Sequence, residues 1–102
     1  MTIPMITRDH ILSTLRSTKP QLAQLGIRNV GLFGSYAKGG GNTASDIDIL
    51  IEFEPNRESF DNFMQVCDMF ENLFINEKVE VVTKNGLSPF IGPRILKEVV
   101  YA

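Results

Sequence analysis

The fold is decided by one stretch of the sequence, VGLFGSYAKGGGNTASDIDILI, which spans residues 30–51. Its first apolar run closes on Gly34 and Ser35, and its second opens, after ten intervening residues, with Asp46 and Asp48. Short apolar runs bounded by glycine and polar turn formers are typical of buried strands. We therefore predict two strands that are joined by a loop, with a Gly-Ser turn at the end of one and two carboxylates at the start of the other.

Helical periodicity and turn formers predict the elements on either side of this stretch. The predicted helices cover residues 7–16, 18–26, 35–37 and 59–74 and begin again near residue 93; the predicted strands cover 27–33, 46–53 and 78–83. On the long helix, apolar residues at three- and four-residue steps predict a stripe that faces the core, namely Phe60, Phe63, Met64, Cys67, Phe70 and Phe74.

This order of elements predicts the fold class. Residues 1–102 should form a single domain of the α/β (α+β) class, with a small mixed β-sheet and helices packed mainly on one side of it.

Composition and charge limit the classes of function. The chain carries 12 acidic and 10 basic residues, for a net charge of −2, which argues against binding nucleic acid directly through bulk positive charge. No apolar run reaches the length of a membrane span, no secretory signal pattern opens the chain, and Cys67 is the lone cysteine. We therefore expect a cytoplasmic protein that has no disulfide, does not bind a membrane and does not bind nucleic acid directly.

Three carboxylates stand out because they fall within apolar strands. Side chains two residues apart in a strand point to the same face, so Asp46 and Asp48 should project side by side. Paired carboxylates repel each other unless a cation lies between them, and hard oxygen ligands select Mg²⁺ or Mn²⁺. Glu80, flanked by Val79 and Val81, would be a third ligand, and three carboxylates can hold two metal ions around a triphosphate. The alternative for these acids is a solvated position at the edge of the sheet.

Gly34 and Ser35 would form the other side of such a site. The short helix predicted at 35–37 begins where the first strand ends, and free N–H groups at a helix N-terminus suit a phosphate. Gly34 would let the backbone approach a ligand closely, and the Ser35 hydroxyl can donate to a phosphate oxygen. A Gly-Ser pair alone predicts only a turn, so its significance depends on the acids of the neighbouring strand.

Together these motifs resemble the polymerase-beta-like nucleotidyltransferases, and in particular their minimal branch (MNT), whose members are paired with HEPN proteins. Residues 30–39 and 45–51 carry the resemblance, which extends loosely from about Ile11 to the C-terminus. It implies the polymerase-beta-like nucleotidyltransferase fold, with ATP as substrate and two Mg²⁺ ions as cofactors.

The resemblance also implies roles for individual residues. Asp46, Asp48 and Glu80 would be the catalytic metal ligands, and Gly34 and Ser35 would contact the nucleotide phosphates. Lys38 would be a further nucleotide-binding residue; the family often has Arg there, so a bidentate contact becomes a point-charge contact. The third acid of the family is commonly Asp, and Glu80 is one methylene longer.

The function implied by the resemblance is transfer of AMP from ATP to a hydroxyl, most readily a tyrosine, of a partner HEPN toxin, so that the chain acts as an antitoxin. Two alternatives stay open. One is a non-catalytic antitoxin that inhibits a HEPN ribonuclease by complex formation, and the other is a small-molecule nucleotidyltransferase, which would need a further domain to hold its acceptor. Apolar residues near the C-terminus predict a partner surface, although all of them could equally be core: Phe90, Ile91, Ile95, Leu96, Val99, Val100 and Tyr101.

Overall fold

A computed structural model of the protein describes residues 6–39 and 45–102. In chain order, the elements of these residues are α1 (Arg8–Ser17), α2 (Lys19–Gln24), β1 (Ile27–Phe33), α3 (Gly34–Ala37), β2 (Ile47–Phe53), α4 (Phe60–Leu73), β3 (Val79–Thr83), a 3-10 turn (Lys84–Gly86), α5 (Gly92–Glu98) and β4 (Val100–Tyr101). The strands form one mixed sheet in the order β3-β2-β1-β4. In it β2 and β3 are parallel, whereas β1 is antiparallel to both β2 and β4, which confirms the predicted fold class.

The main core lies on one face of the sheet. Alternate residues of β2 point to this face, and Ile47, Ile49 and Ile51 are fully buried there. Each such side chain contributes about 1.5–3 kcal/mol of hydrophobic free energy. The helices α1 to α4 cover the face with buried residues of their own, among them Ile11, Leu15, Leu22, Tyr36, Val66 and Phe70. Within the described residues α5 adds no member to this cluster, so the helices pack mainly on one side, as predicted.

Local capping fixes where two of the helices begin. Thr7 accepts a hydrogen bond from the backbone N–H of His10 at the start of α1, and Ser59 accepts one from Asn62 at the start of α4. Thr18 occupies the N-cap position of α2, but its hydroxyl donates to the Leu15 carbonyl and makes no capping hydrogen bond to α2.

The predicted stripe on α4 is partly wrong. Phe60 and Met64 are exposed, at 77% and 42%, and Cys67 is only half-buried. The residues of α4 that are fully buried are Val66 and Phe70, and the half-buried Phe63 packs against the same cluster. Phe70 and Phe74 of the predicted stripe are buried, so the buried face is displaced toward Val66 and away from Phe60 and Met64.

The C-terminal segment contains a strand that the sequence analysis did not predict. The helix α5 ends at Glu98, and Val100 and Tyr101 form β4, which pairs with β1 at Leu32 and Gly31. None of the helices that the structure describes is long and apolar enough to cross a membrane.

Candidate active site

The Gly-Ser turn and two of the three predicted acids meet at one end of the sheet. Because β1 runs antiparallel to β2, the last residue of β1, Phe33, lies beside Asp48, near the start of β2. Because β2 and β3 are parallel, Glu80 lies on the other side of Asp48, in register with it. Side chains of paired residues share a face, so Phe33, Asp48 and Glu80 form a row across the face opposite the main core.

Gly34 lies directly against the Asp48 carboxylate. Its backbone has φ +76°, a left-handed conformation that L side chains rarely adopt, and a Cβ at this position would overlap Asp48 Oδ2. Glycine is therefore required here both by the backbone conformation and by the neighbouring carboxylate. The turn leads into α3, where Ser35 is exposed.

The electrostatics of Asp48 are unusual for a structural residue. Burial, repulsion from Glu80 and from Asp46, and a hydrogen bond with Glu80 raise the pKa of Asp48 from its ordinary value of 3.8 to about 6. Asp48 is thus held among like charges.

Glu52, four residues further along β2 on the same face, shows the opposite behaviour. Asn29 donates a hydrogen bond to it at 2.9 Å, and the Lys84 Nζ lies 3.5 Å from its other oxygen. These contacts, the Asn29 hydrogen bond first, lower the pKa of Glu52. The sheet therefore neutralises one carboxylate of this face and leaves the other beside two further acids, which is typical of a site that binds a cation.

Comparison with known proteins decides the family. The family described as "Polymerase beta, Nucleotidyltransferase" matches residues 16–101. The chain belongs to this family. It is 37% identical over 98 residues to the protein adenylyltransferase MntA of Thermococcus cleftensis, with 95% of this chain and 97% of the relative covered.

Solved structures share the fold of this nucleotidyltransferase. A candidate minimal nucleotidyltransferase superimposes with a TM-score of 0.80 at 23% identity, covering 96% of this chain and 98% of the other. One chain of a toxin–antitoxin structure with AMP-PNP superimposes with a TM-score of 0.64 at 19% identity, covering 94% of this chain and 72% of the other. The resemblance stated from the motifs is thereby confirmed.

Asp48 and Glu80 form what we call the carboxylate row, and Asp46 lies beside it. It precedes β2, which begins at Ile47 rather than at Asp46 as predicted, and its Oδ2 lies 3.9 Å from Lys78 Nζ. Its charge still acts on Asp48. Among the residues that the structure describes, no three His, Cys, Asp or Glu side chains are arranged as a complete metal-binding group. Of the three predicted metal ligands, Asp48 and Glu80 therefore contact each other, and Asp46 lies nearby without completing the group.

Lys38, which follows α3, forms an ion pair with a residue that the sequence analysis did not single out. Its Nζ lies 3.3 Å from Glu98 Oε1, and Glu98 is the last residue of α5. Glu98 also accepts a hydrogen bond from Arg94 at 3.4 Å. The four-residue spacing of Arg94 and Glu98 on a helix was a readable signal for their pairing, but nothing in the sequence indicated that Lys38 joins them.

Four further residues with polar or reactive side chains do not join the row of Asp48 and Glu80, namely Arg57, Lys84, His10 and Cys67. The guanidinium of Arg57 donates to the Gln24 carbonyl, and Lys84 pairs with Glu52, so both belong to the opposite end of the sheet. His10 is exposed on α1. Cys67 lies partly within the protein, where burial raises its thiol pKa, and the nearby Glu71 and Asp68 add to the effect. None of these residues contributes to the site.

Proposed function

We propose that this nucleotidyltransferase transfers AMP from ATP to a tyrosine hydroxyl of a partner HEPN toxin and thereby acts as its antitoxin. The observation that carries the proposal is the Asp48–Glu80 pair, which lies against the Gly34 turn at one end of the sheet. The name of the Thermococcus relative, a protein adenylyltransferase, supports both AMP as the transferred group and a protein as the acceptor.

The donor set of the site fits Mg²⁺. Asp48 and Glu80 present hard oxygen ligands that repel each other, and Asp46 adds a third carboxylate nearby. These three residues would hold two Mg²⁺ ions, which supply charge neutralisation for the triphosphate and for the departing pyrophosphate. The exposed Ser35 hydroxyl and the backbone N–H groups beside it would bind phosphate oxygens, and Lys38 would add a positive charge.

The transfer itself exchanges one bond to phosphorus for another. The acceptor oxygen forms a bond to the α-phosphorus of ATP, and the bond from that phosphorus to the bridging oxygen of pyrophosphate breaks. The hydroxyl proton passes to a carboxylate of the site. Glu80 is the exposed member of the carboxylate pair, so an incoming side chain would reach it first, and we assign the proton to it.

A protein acceptor is supported by apolar surface near the C-terminus. Phe90 is 91% exposed and Ile91 55%, and Leu96 and Tyr101 are exposed as well. The remaining members of the predicted partner surface, Ile95, Val99 and Val100, are partly buried. Exposed apolar side chains mark a partner surface where they form one patch, and Phe90 and Ile91 are adjacent in the sequence.

The test is transfer of label from [α-³²P]ATP to a HEPN protein co-expressed with this chain, followed by intact-mass measurement and fragment mapping. We expect a mass increase of one AMP on a tyrosine, dependent on Mg²⁺ and abolished by Asp48→Asn. Glu52→Gln is the matched control, because Glu52 lies on the same face of the same strand but outside the carboxylate row. Parallel reactions with GTP, CTP and UTP test the preference for adenine.

Inhibition by complex formation alone is the second candidate, and the exposed C-terminal apolar residues would serve it equally well. The same experiment separates the two functions. A partner that is silenced yet unmodified, and silenced equally by the Asp48→Asn variant, would replace the catalytic proposal with the stoichiometric one.

A further inference from the structure

Residues 34–38 form the turn that we propose binds the nucleotide phosphates, and we call it the nucleotide-binding turn. The ion pair between Lys38 and Glu98 joins this turn to the C-terminal segment, 60 positions further along the sequence. We infer that Glu98 is a positioning residue: it holds the Lys38 ammonium in place for the phosphates of the nucleotide. The inference rests on the proposed function, since it assumes that Lys38 contacts those phosphates.

Glu98 is suited to this role because its backbone is fixed relative to the turn. It is followed by Val99 and by β4, and Val100 pairs with Leu32 of β1, the strand that leads into Gly34. At Gly31 the Val99 side chain packs so closely that a Cβ there would lie 2.6 Å from Val99 Cγ2. The backbone of Glu98 is therefore fixed relative to β1, the strand that leads into the nucleotide-binding turn.

Lys38, in contrast, has a long side chain that is 57% exposed, and such a side chain loses considerable conformational freedom when it binds a ligand. A lysine ammonium has three donors, so a contact with Glu98 leaves others for phosphate oxygens. Arg94 contacts the same oxygen of Glu98, Oε1, and so Glu98 is itself held from the other side. Contacts with Lys38 and Arg94 lower the pKa of Glu98, which keeps it ionised at neutral pH.

The alternative is that Glu98 competes with the nucleotide for Lys38. In that case removal of the carboxylate would strengthen nucleotide binding, because a negative charge near the triphosphate would be lost. The two roles therefore predict effects of opposite sign on the Kd for Mg·ATP.

A double-mutant cycle on the full chain tests the inference. Glu98→Gln keeps the shape of the side chain and removes its charge; Lys38→Ala removes its partner. We expect Glu98→Gln to raise the Kd for Mg·ATP about threefold to fivefold, in the range of a partly exposed ion pair, and to lower turnover. In the Lys38→Ala background the same change should have no further effect on Kd. Glu54→Gln is the control, because Glu54 pairs with Arg28 at the far end of β1.

Each other outcome overturns the inference. Tighter binding in Glu98→Gln would make Glu98 a competitor, and equal effects of Glu98→Gln in the two backgrounds would mean that it acts only through the packing of α5 and β4. If the wild-type chain binds Mg·ATP and the effects of the two substitutions on Kd are additive, the inference about Glu98 is wrong and the proposed function is unaffected. If the folded wild-type chain does not bind Mg·ATP at all, the proposed function fails with it.

Discussion

Replacing Asp48 with Asn should stabilise the metal-free protein while abolishing its activity. Asp48 is the carboxylate that the fold holds beside two other acids, and its pKa is raised from 3.8 to about 6. The folded state therefore binds this proton more tightly than the unfolded state does. Between about pH 4 and pH 6 the folded protein carries more protons, so the free energy of unfolding must fall as the pH rises through this window and stay low above it.

The magnitude follows from the size of the shift. About two pH units at about 1.4 kcal/mol each give an upper value near 3 kcal/mol. The carboxyl is partly solvated, so screening reduces the expected penalty at pH 7.5 to about 1–2 kcal/mol. Asn has nearly the same shape, carries no charge and can donate to Glu80. For a domain of this size, a gain of about 1 kcal/mol corresponds to a Tm increase of roughly 4–8 °C.

Thermal unfolding of both proteins in EDTA, from pH 4 to pH 8, measures the effect. The Asp48→Asn variant should be more stable above pH 6 and should lose most of the pH dependence between pH 4 and pH 6. Glu52→Gln is the control with the opposite sign, since Glu52 has a lowered pKa and favourable partners, and its loss should destabilise the protein near neutral pH. Mg²⁺ should stabilise the wild type and not the Asp48→Asn variant. An Asp48→Asn variant that is less stable than the wild type at pH 7.5 would refute the electrostatic reasoning.

Three further substitutions probe the site. Asp46→Asn should weaken Mg·ATP binding and turnover while leaving the circular dichroism spectrum unchanged, because Asp46 precedes β2 and does not belong to the core; full turnover in the folded variant would remove it from the site. Glu80→Gln should lower kcat by about 100-fold or more and change nucleotide affinity much less, as measured by single-turnover transfer and by titration; a loss of affinity at an unchanged rate would make it a binding residue only. Gly34→Ala should cost about 1–3 kcal/mol in denaturant unfolding and displace Asp48, because it introduces a Cβ at positive φ against that carboxylate; normal stability and activity would show that the turn tolerates a side chain at this position.

Local patterns were enough to predict the elements that carry the site. The apolar runs predicted β1 and the whole of β2, with Asp46 in excess, and Ser59 was correctly predicted as the start of the long helix. Strand alternation predicted the face to which Asp48 points, whereas the register that places Glu80 beside it is a property of the folded sheet. The predicted loop at residues 38–43 lies outside the described residues except for Lys38 and Gly39.

Features that depend on distant parts of the chain were missed. The two residues of β4 are too few to show a period, and they form a strand only because β1 offers an edge next to Gly31. The glycine within an apolar strand was a readable signal for a close approach, and Val99 makes that approach. On α4, periodicity predicts that one side is buried, but the contact with the sheet decides which side, and Val66 rather than Phe60 faces it.

A substitution at position 80 tests whether Asp48 and Glu80 are arranged to bind a cation, because it would give Asp48 the kind of cationic neighbour that Glu52 already has. Lys84, which follows the end of β3, lies 3.5 Å from Glu52 and neutralises its carboxylate. Beside Asp48, in contrast, β3 places another acid, Glu80. Glu80→Lys should therefore give Asp48 a cross-strand partner of opposite charge, lower its pKa and stabilise the metal-free protein by about 0.2–1 kcal/mol relative to an alanine at position 80. The same change should abolish Mg²⁺-dependent transfer and the stabilisation by Mg²⁺. Urea unfolding of the Glu80→Lys and Glu80→Ala variants in EDTA measures the first effect, and unfolding with added Mg²⁺ measures the second. A lysine variant no more stable than the alanine variant would mean that Asp48 and residue 80 do not face each other as the register indicates. The expected result would show that a positive charge beside Asp48 stabilises the metal-free sheet, which is the role that a cation from outside the chain would have beside Glu80.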